Sequence, residues 1–351
     1  MKPMKGWPYE EFPTSWFMIG HSKDIAAGQV VPIEVLGEEL VMYRTESGQV
    51  NVLDAFCPHL GAHLGHGGQV EGETLQCPWH GWKWSLEGCN IEIPFADHPK
   101  RNARIRRWHV RERDHVILLW HDSLGRDPWW EWPGIPEFHD FENYYQPDEH
   151  PDGAHCYGEL RVNPQLPIEN TADPIHFAFV HGSDRPAEMD IFETDGPYLR
   201  TVFRVHFGGG KGPTWLTPEG ETWGTIEAEQ WGLGIGVARF NIGDLQVAQS
   251  IAVTPIDLIR SFGWSTIAAT RDPNQPDPAK VAAGMMMTEQ VRQVRRDFFI
   301  WEHQAYVDKP LFVFPQERKF YDLRRWFRQF YPHAHGADLE TEETAAPGTT
   351  H

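Results

Sequence analysis

Over residues 16–120 apolar and polar positions alternate in short runs, EVLGEELVMYRT, QVNVLDAF and HVILLWHD among them, each broken by Gly, Asp or Ser. A period of two predicts strands with one face on a core, and the breakers predict hairpins, so this stretch reads as an all-β module. The Pro-, Trp- and acid-rich passage DPWWEWPGIPEFHDFENYYQPDEHPDGAH interrupts the pattern and reads as an irregular connector into a second unit. Beyond it an apolar segment over 170–180 reads as helical. Longer strand-like runs follow over 198–269 (YLRTVFRVHF, TWGTIEAEQWGLGIGVARFNI, LQVAQSIAVTPI, IRSFGWSTIAAT), as expected of a long antiparallel sheet. RDPNQPDPAK then leads into a helix over about 281–306, where Val291, Val294, Phe298, Trp301 and Ala305 recur at steps of three and four. The acidic end, 332–351, is expected to be a disordered tail. The whole is an α+β chain without internal repeats: a first unit over 16–120 and a second over 121–331.

Its 351 residues are enough for two units that each bury a sizeable core. A formal net charge of −19 argues against nucleic acid, whose phosphates call for Lys and Arg, although an acidic surface also serves solubility alone. Sixteen Trp and 20 Phe are a heavy aromatic load and point to a large apolar pocket. No run is apolar enough to span a bilayer, and MKPMKGWPYEEF lacks the apolar stretch of a signal peptide, so a cytoplasmic location is expected. Four Cys fit a reduced compartment.

The four residues Cys57, His59, Cys77 and His80 carry the most chemistry. They stand in Cys57-Pro58-His59 and Cys77-Pro78-Trp79-His80, with 17 residues between His59 and Cys77, enough for a hairpin that brings two short loops tip to tip. Two thiolates on one iron and two imidazoles on the other make a Rieske [2Fe-2S] cluster, an electron port of higher potential than an all-Cys ferredoxin. Gly61, Gly65, Gly67, Gly68 and Gly81 give the loops freedom, while Pro58 and Pro78 stiffen them. Structural zinc is the alternative for a Cys/His set, but zinc sites more often pair like with like, whereas each knuckle here supplies one Cys and one His. His63 and His66 read as ordinary loop histidines. Cys89 and Cys156 have no evident partner.

CPHLGAHLGHGG followed by CPWHGWKW resembles the Rieske domains of ring-hydroxylating oxygenases over roughly 16–120. Further along, Asp173, His176 and His181 stand as D-x2-H-x4-H, which resembles the mononuclear iron motif of the same oxygenases. Two imidazoles and a carboxylate on one face of Fe(II) leave positions open for dioxygen. His176 and His181 are about 140° apart on an ideal helix, so they converge only if the helix ends or distorts near His181, where Gly182 could end it. Asp173 stands directly before Pro174, where Asp also serves as a helix cap. Asp297 shares the inward edge of Val294 and Trp301, and RRDFFIWEHQAYVDKPLF resembles the C-terminal helix of the ketosteroid and sterol branch, whose corresponding Asp ligates iron. A salt bridge from Asp297 to Arg292, Arg295 or Arg296 is the plainer reading, and Glu302 is the rival carboxylate.

The resemblance implies a helix-grip (START-like) catalytic domain behind the Rieske domain, and a terminal oxygenase that receives electrons from NADH through a separate flavin and iron-sulfur reductase. It implies a Rieske cluster on Cys57, His59, Cys77 and His80, and mononuclear Fe(II) on His176, His181 and Asp297. Asp173 would bridge His176 to His80 of a neighbouring subunit in a homotrimer, carrying electrons to the iron that activates O2. IPFADHPKRNARIRRWHV, IWEHQAYVDKP and RRWFRQFY point to the branch of 3-ketosteroid 9α-hydroxylases and cholesterol 7-desaturases, hence to hydroxylation or desaturation of a steroid or sterol. Phe177, Phe179 and Trp231 are pocket candidates, with ordinary core packing the favoured reading of each. Two other readings stay open: an oxygenase acting on a smaller aromatic or methoxy compound, and a Rieske protein that only transfers electrons.

Overall fold

The computed structural model describes residues 4–208 and 219–335. Its first half is built from β1 (Ser15–His21), β2 (Val30–Val35), β3 (Glu38–Arg44), β4 (Val50–Asp54), β5 (Gln69–Glu71), β6 (Thr74–Gln76), β7 (Lys83–Trp84), β8 (Asn90–Glu92), β9 (Val110–Arg113) and β10 (Val116–His121). These form antiparallel sheets ordered β1-β10-β9, β2-β3-β4 and β5-β6-β7-β8, with the loops after β4 and β6 carrying the two Cys/His knuckles. This is the all-β module that the alternating pattern predicts.

β1 is buried at every position, and the reason lies on both of its sides. Phe17 and Ile19 pack with Leu40, Val52 and Leu119 in the core of the first unit. Trp16 and Met18 face the other way, into a core shared with Leu199, Leu233 and Ile235 of the second unit. Ser15 Oγ accepts from the backbone N–H of Leu233 and Gly234, both at 3.0 Å, and the Thr254 hydroxyl donates to the Met18 carbonyl. Gly234 is required here, because a Cβ would stand 1.9 Å from the Trp16 carbonyl oxygen.

The second half holds β11 (Tyr144–Tyr145), β12 (Ala154–Leu160), β13 (Glu188–Asp195), β14 (Tyr198–Phe207), β15 (Thr222–Trp231), β16 (Ile235–Ile242), β17 (Leu245–Pro255) and β18 (Ser261–Thr270). One antiparallel sheet runs β11-β18-β17-β16-β15-β14-β13, with β12 also on β18. Its helices are α1 (Gln165–Glu169), α2 (His176–Phe179), α3 (Ala282–Trp301), α4 (Lys319–Phe327) and α5 (Pro332–His335). α3 lies on the sheet: Met286, Met287 and Val291 pack with Val247 and Ile267, and Val294, Phe298 and Trp301 pack with Val253 and Ile251. A long helix packed on an antiparallel sheet is the α+β architecture expected from the sequence.

Four local expectations are corrected. The irregular connector contains β11 and the start of β12, both held by ladders to β18 that short mixed-composition segments do not announce. β13, EMDIFETD, is a strand at the sheet edge, where exposed polar positions hide the alternation. The helix over 281–306 stops at Trp301, because Tyr306 pairs its N–H with the Lys5 carbonyl (2.9 Å) and packs its ring on Trp7. At the C-terminus, residues 332–335 form a helix whose first N–H groups reach the Glu11 carboxylate; the rest of the expected tail lies outside the described residues. No helix among the described residues is long and apolar enough to cross a membrane.

Candidate metal centres and substrate cavity

The two knuckles fold identically at the backbone. Cys57 N–H donates to the Ala62 carbonyl (2.9 Å) and Gly61 N–H to Cys57 (2.9 Å); Cys77 N–H donates to Trp82 (2.8 Å) and Gly81 N–H to Cys77 (3.1 Å). Each loop turns at a residue of positive φ, Gly61 at 77° and Gly81 at 69°, which a side chain would strain. Cys57 and Cys77 are buried with Tyr43, Leu64, Leu75 and Trp84, whereas His59 and His80 are exposed. The two imidazoles lie 4.6 Å apart between ring centroids at 72°, and His59 stacks on Trp82 at 4.5 Å.

This donor set has a sulfur end inside and a nitrogen end outside. Burial pushes the Cys57 thiol up to about 11; the backbone at His59 opposes this, Cys77 adds to it, and the neighbouring Trp84 indole pulls it down. Apart from the Cys57 sulfur it faces, the buried Trp84 N–H has no hydrogen-bond partner. Paired buried thiols beside such a donor suit anionic sulfurs neutralised by metal. A single tetrahedral ion would gather all four donors together, yet among the described residues only His176, His181 and Asp297 bring three ligand atoms within 4.8 Å of one another. The knuckles therefore fit a two-iron cluster better than zinc. His63 is held in its loop, its Nδ1 accepting from Gly65 N–H at 3.0 Å. Arg104 Nη1 is 2.6 Å from Cys89 Sγ, and Cys156 is exposed.

The expected helix over 170–180 is broken, and the break makes the second centre. α1 runs on as a 3-10 turn over Asn170–Ala172, the chain becomes extended at Asp173, and α2 starts at His176. Val180 N–H donates to the His176 carbonyl (2.7 Å), Gly182 has φ 75°, and Ser183 N–H reaches back to Phe177 (3.0 Å). His181 thus turns toward His176, their rings 5.1 Å apart at 79°. Asp297, 8% exposed on α3, completes the set, with Oδ1 3.3 Å from His181 Nε2 and 3.3 Å from the Asn170 amide nitrogen that donates to it. The plainer pairings of Asp297 are taken elsewhere: Arg292 with Glu289, Arg295 with His155, Arg296 with the Val180 carbonyl. Glu302 accepts from Arg161 N–H, away from the set.

Both imidazoles are oriented through Nδ1. That of His181 donates to Gln293 Oε1 (2.9 Å), and that of His176 to the Asp173 carbonyl, which leaves each Nε2 for the centre. Asp173 thus meets His176 through its backbone, while its carboxylate Oδ1 accepts from Ile175 N–H (2.9 Å) and His176 N–H (3.2 Å) as a cap does. Burial, then the neighbouring His181, hold His176 below its ordinary pKa. Burial also works against a charged His181, but Asp297 and Gln293 outweigh it and raise its pKa. A proton between His181 and Asp297 sits where a cation would, so the donors fit a divalent metal that displaces it.

The centre opens into a cavity of about 620 Å³ between the sheet and α3. Phe203, Val205, Ile226, Ile251 and Val253 form its floor, with Gln230 and Gln249 among the polar members from the sheet and Gln290 from α3. Phe177 lines it, where ordinary core packing was the favoured reading. Phe179 does not, being 87% exposed where α2 turns outward, and Trp231 packs beside Tyr198 and the shared core instead. Arg292 and Arg296 line the cavity as exposed side chains, basic groups that the pattern of pocket candidates did not suggest. Gln293 also escaped notice, although its place one turn before Asp297 was a signal.

Residues 15–108 match the family model of the Rieske [2Fe-2S] domain, and residues 119–331 that of the 3-ketosteroid 9alpha-hydroxylase C-terminal domain. The chain is 30% identical to a cholesterol 7-desaturase from Bombyx mori, over 91% of this chain and 70% of that protein. It is 28% identical to the oxygenase component of a 3-ketosteroid-9-alpha-monooxygenase from Rhodococcus rhodochrous, over 91% and 84%. Among solved structures, dicamba monooxygenase bound to dicamba superposes with a TM-score of 0.69 at 19% identity, covering 92% of this chain and 98% of that one, which is a likeness of fold.

Proposed function

Because this chain belongs to the Rieske non-haem iron oxygenases, in the branch of 3-ketosteroid 9α-hydroxylases and cholesterol 7-desaturases, we propose that it is a terminal oxygenase for a large, mostly apolar steroid or sterol. The observation that carries this reading is the His176, His181 and Asp297 set opening into an apolar cavity of about 620 Å³. Cys57 and Cys77 would hold one iron of the cluster and His59 and His80 the other; His176, His181 and Asp297 would hold the mononuclear iron. When bound, these groups supply single electrons and the activation of dioxygen for attack on a C–H bond.

The chain's own residues prepare the site. Gln293 and the Asp173 carbonyl keep both Nδ1 protons in place, so neither imidazole can turn its Nε2 away. The apolar floor excludes water around the substrate and orients it by shape. His59 and His80 stand at the surface among exposed Phe56, Leu60 and Trp79, an apolar rim that suits contact with another protein. This supports electrons leaving the cluster for a neighbouring subunit, with Asp173 carrying them to His176 across a closed three-fold ring. NADH would supply the electrons through a separate flavin and iron-sulfur reductase.

The test is oxygen uptake with NADH and a competent reductase across 3-ketosteroids, sterols and monocyclic aromatics, with product identification. A steroid or sterol product, hydroxylated or desaturated, is expected. Turnover of a monocyclic aromatic with matched oxygen consumption, while every steroid and sterol fails to bind, would overturn the substrate class.

A further inference from the structure

Resting on the reading of this cavity as the substrate site, we propose that Gln249 Oε1 anchors a hydroxyl group of the substrate, so that the chain selects an alcohol over the ketone of the same skeleton. Gln249 lines the cavity from the middle of β17, on the face shared with Ile251 and Val253, and is fully buried. Its Nε2 donates to Ser265 Oγ at 2.7 Å, while its Oε1 has no hydrogen-bond partner. A buried amide oxygen left unpaired in an apolar wall is costly, and a ligand that donates to it removes the cost.

The hydrogen bond behind Gln249 sets which end of the amide faces the cavity: its N–H is given to Ser265 Oγ at 2.7 Å. Donation runs outward from the amide nitrogen, and the carbonyl oxygen is left for the ligand. A ketone offers no proton to that oxygen, whereas a hydroxyl does.

Room for the ligand is built in beside the amide. Ala238 lies directly opposite Gln249 on β16, and Ala228 directly opposite Ala238 on β15; both line the cavity with single methyl groups.

The experiment is calorimetric titration of the metal-loaded protein with three ligands of one sterol skeleton, carrying a hydroxyl, a ketone or only hydrogen at the same ring position. The alcohol should bind on the order of ten- to a hundredfold more tightly than the other two. Gln249→Met, which keeps the length and removes the acceptor, should erase that preference while iron content and cluster absorption stay unchanged. Ser265→Ala, which frees the amide to rotate, should reduce the preference. Equal binding of all three ligands to the unaltered protein would overturn the anchor, as would preference for the ketone, which would put the amide N–H in the cavity. Failure of all three to bind would overturn the steroid reading itself and the anchor with it.

Discussion

Gln293→Leu tests the second metal centre without touching any of its donors. Gln293 Oε1 takes the Nδ1 proton of His181 at 2.9 Å, and its amide nitrogen donates to Glu289, so the side chain is fixed at both ends. Leu keeps the bulk and removes the acceptor, leaving the His181 N–H unpaired and its ring free to turn. Residues that orient metal-binding histidines are typically worth 10–100-fold in affinity, or about 1.4–2.7 kcal/mol. That matches the cost of about 1–3 kcal/mol for a buried donor stripped of its partner. The assay is anaerobic competition of the protein against a chelator for Fe(II), with Rieske absorption as the control for folding. Gln293→Glu, which restores an acceptor, should recover most of the affinity. A dissociation constant unchanged within about twofold would refute the orienting role, and so would a loss as complete as that caused by removing Asp297.

Asp297→Asn should empty the mononuclear site and leave the cluster intact, read as iron per chain and as the EPR signal of the reduced Rieske centre; retained stoichiometry would exclude Asp297 as a donor. His59→Ala or His80→Ala should do the reverse, abolishing the cluster while far-UV circular dichroism of the second unit persists, because the knuckles lie in a separate core. Asp173→Asn keeps a side-chain oxygen for the Ile175 and His176 N–H groups, so both metals should stay while turnover falls by orders of magnitude; near-normal turnover would reduce Asp173 to a helix cap. Burial holds His21 and His121 below their ordinary pKa of 6.5, so between the folded and unfolded values the unfolded chain binds more protons. Their contribution is complete above pH 6.5 and lost as pH falls below it. The melting temperature should drop on acidification through that window, and a flat profile would count against it.

Much of the catalytic set was legible because the chemistry dictates residue type. Thiol and imidazole pairs, the D-x2-H-x4-H run and a carboxylate on the apolar edge of a helix are hard to explain otherwise, and the structure gathers His176, His181 and Asp297 around one point. Position was less legible. The helix expected over 170–180 is two short pieces around an extended Asp173, since apolar content alone does not distinguish a continuous helix from a broken one. β12 and β13 were missed because an edge or mixed-exposure strand shows little alternation; their partners in the sheet, not their own residues, make them strands.

The sequence was silent on the polar residues that act through others or wait for a ligand. Gln249 sits in LQVAQSIAVTPI, where its neighbours read as a core strand and a glutamine reads as an outward position. The ladder registers decide otherwise: with Ala238 and Ile267 across from it, Gln249 occupies the inner face, and only then does its unpaired oxygen become a statement about the substrate. Gln293 follows the same logic on α3, where a turn of helix before Asp297 puts its amide behind His181. Metal donors are specified by chemical necessity and survive as a pattern in the chain. Orienting and anchoring groups are specified by distance to atoms far away in sequence, 112 residues from Gln293 to His181, and become visible only when the fold brings them together.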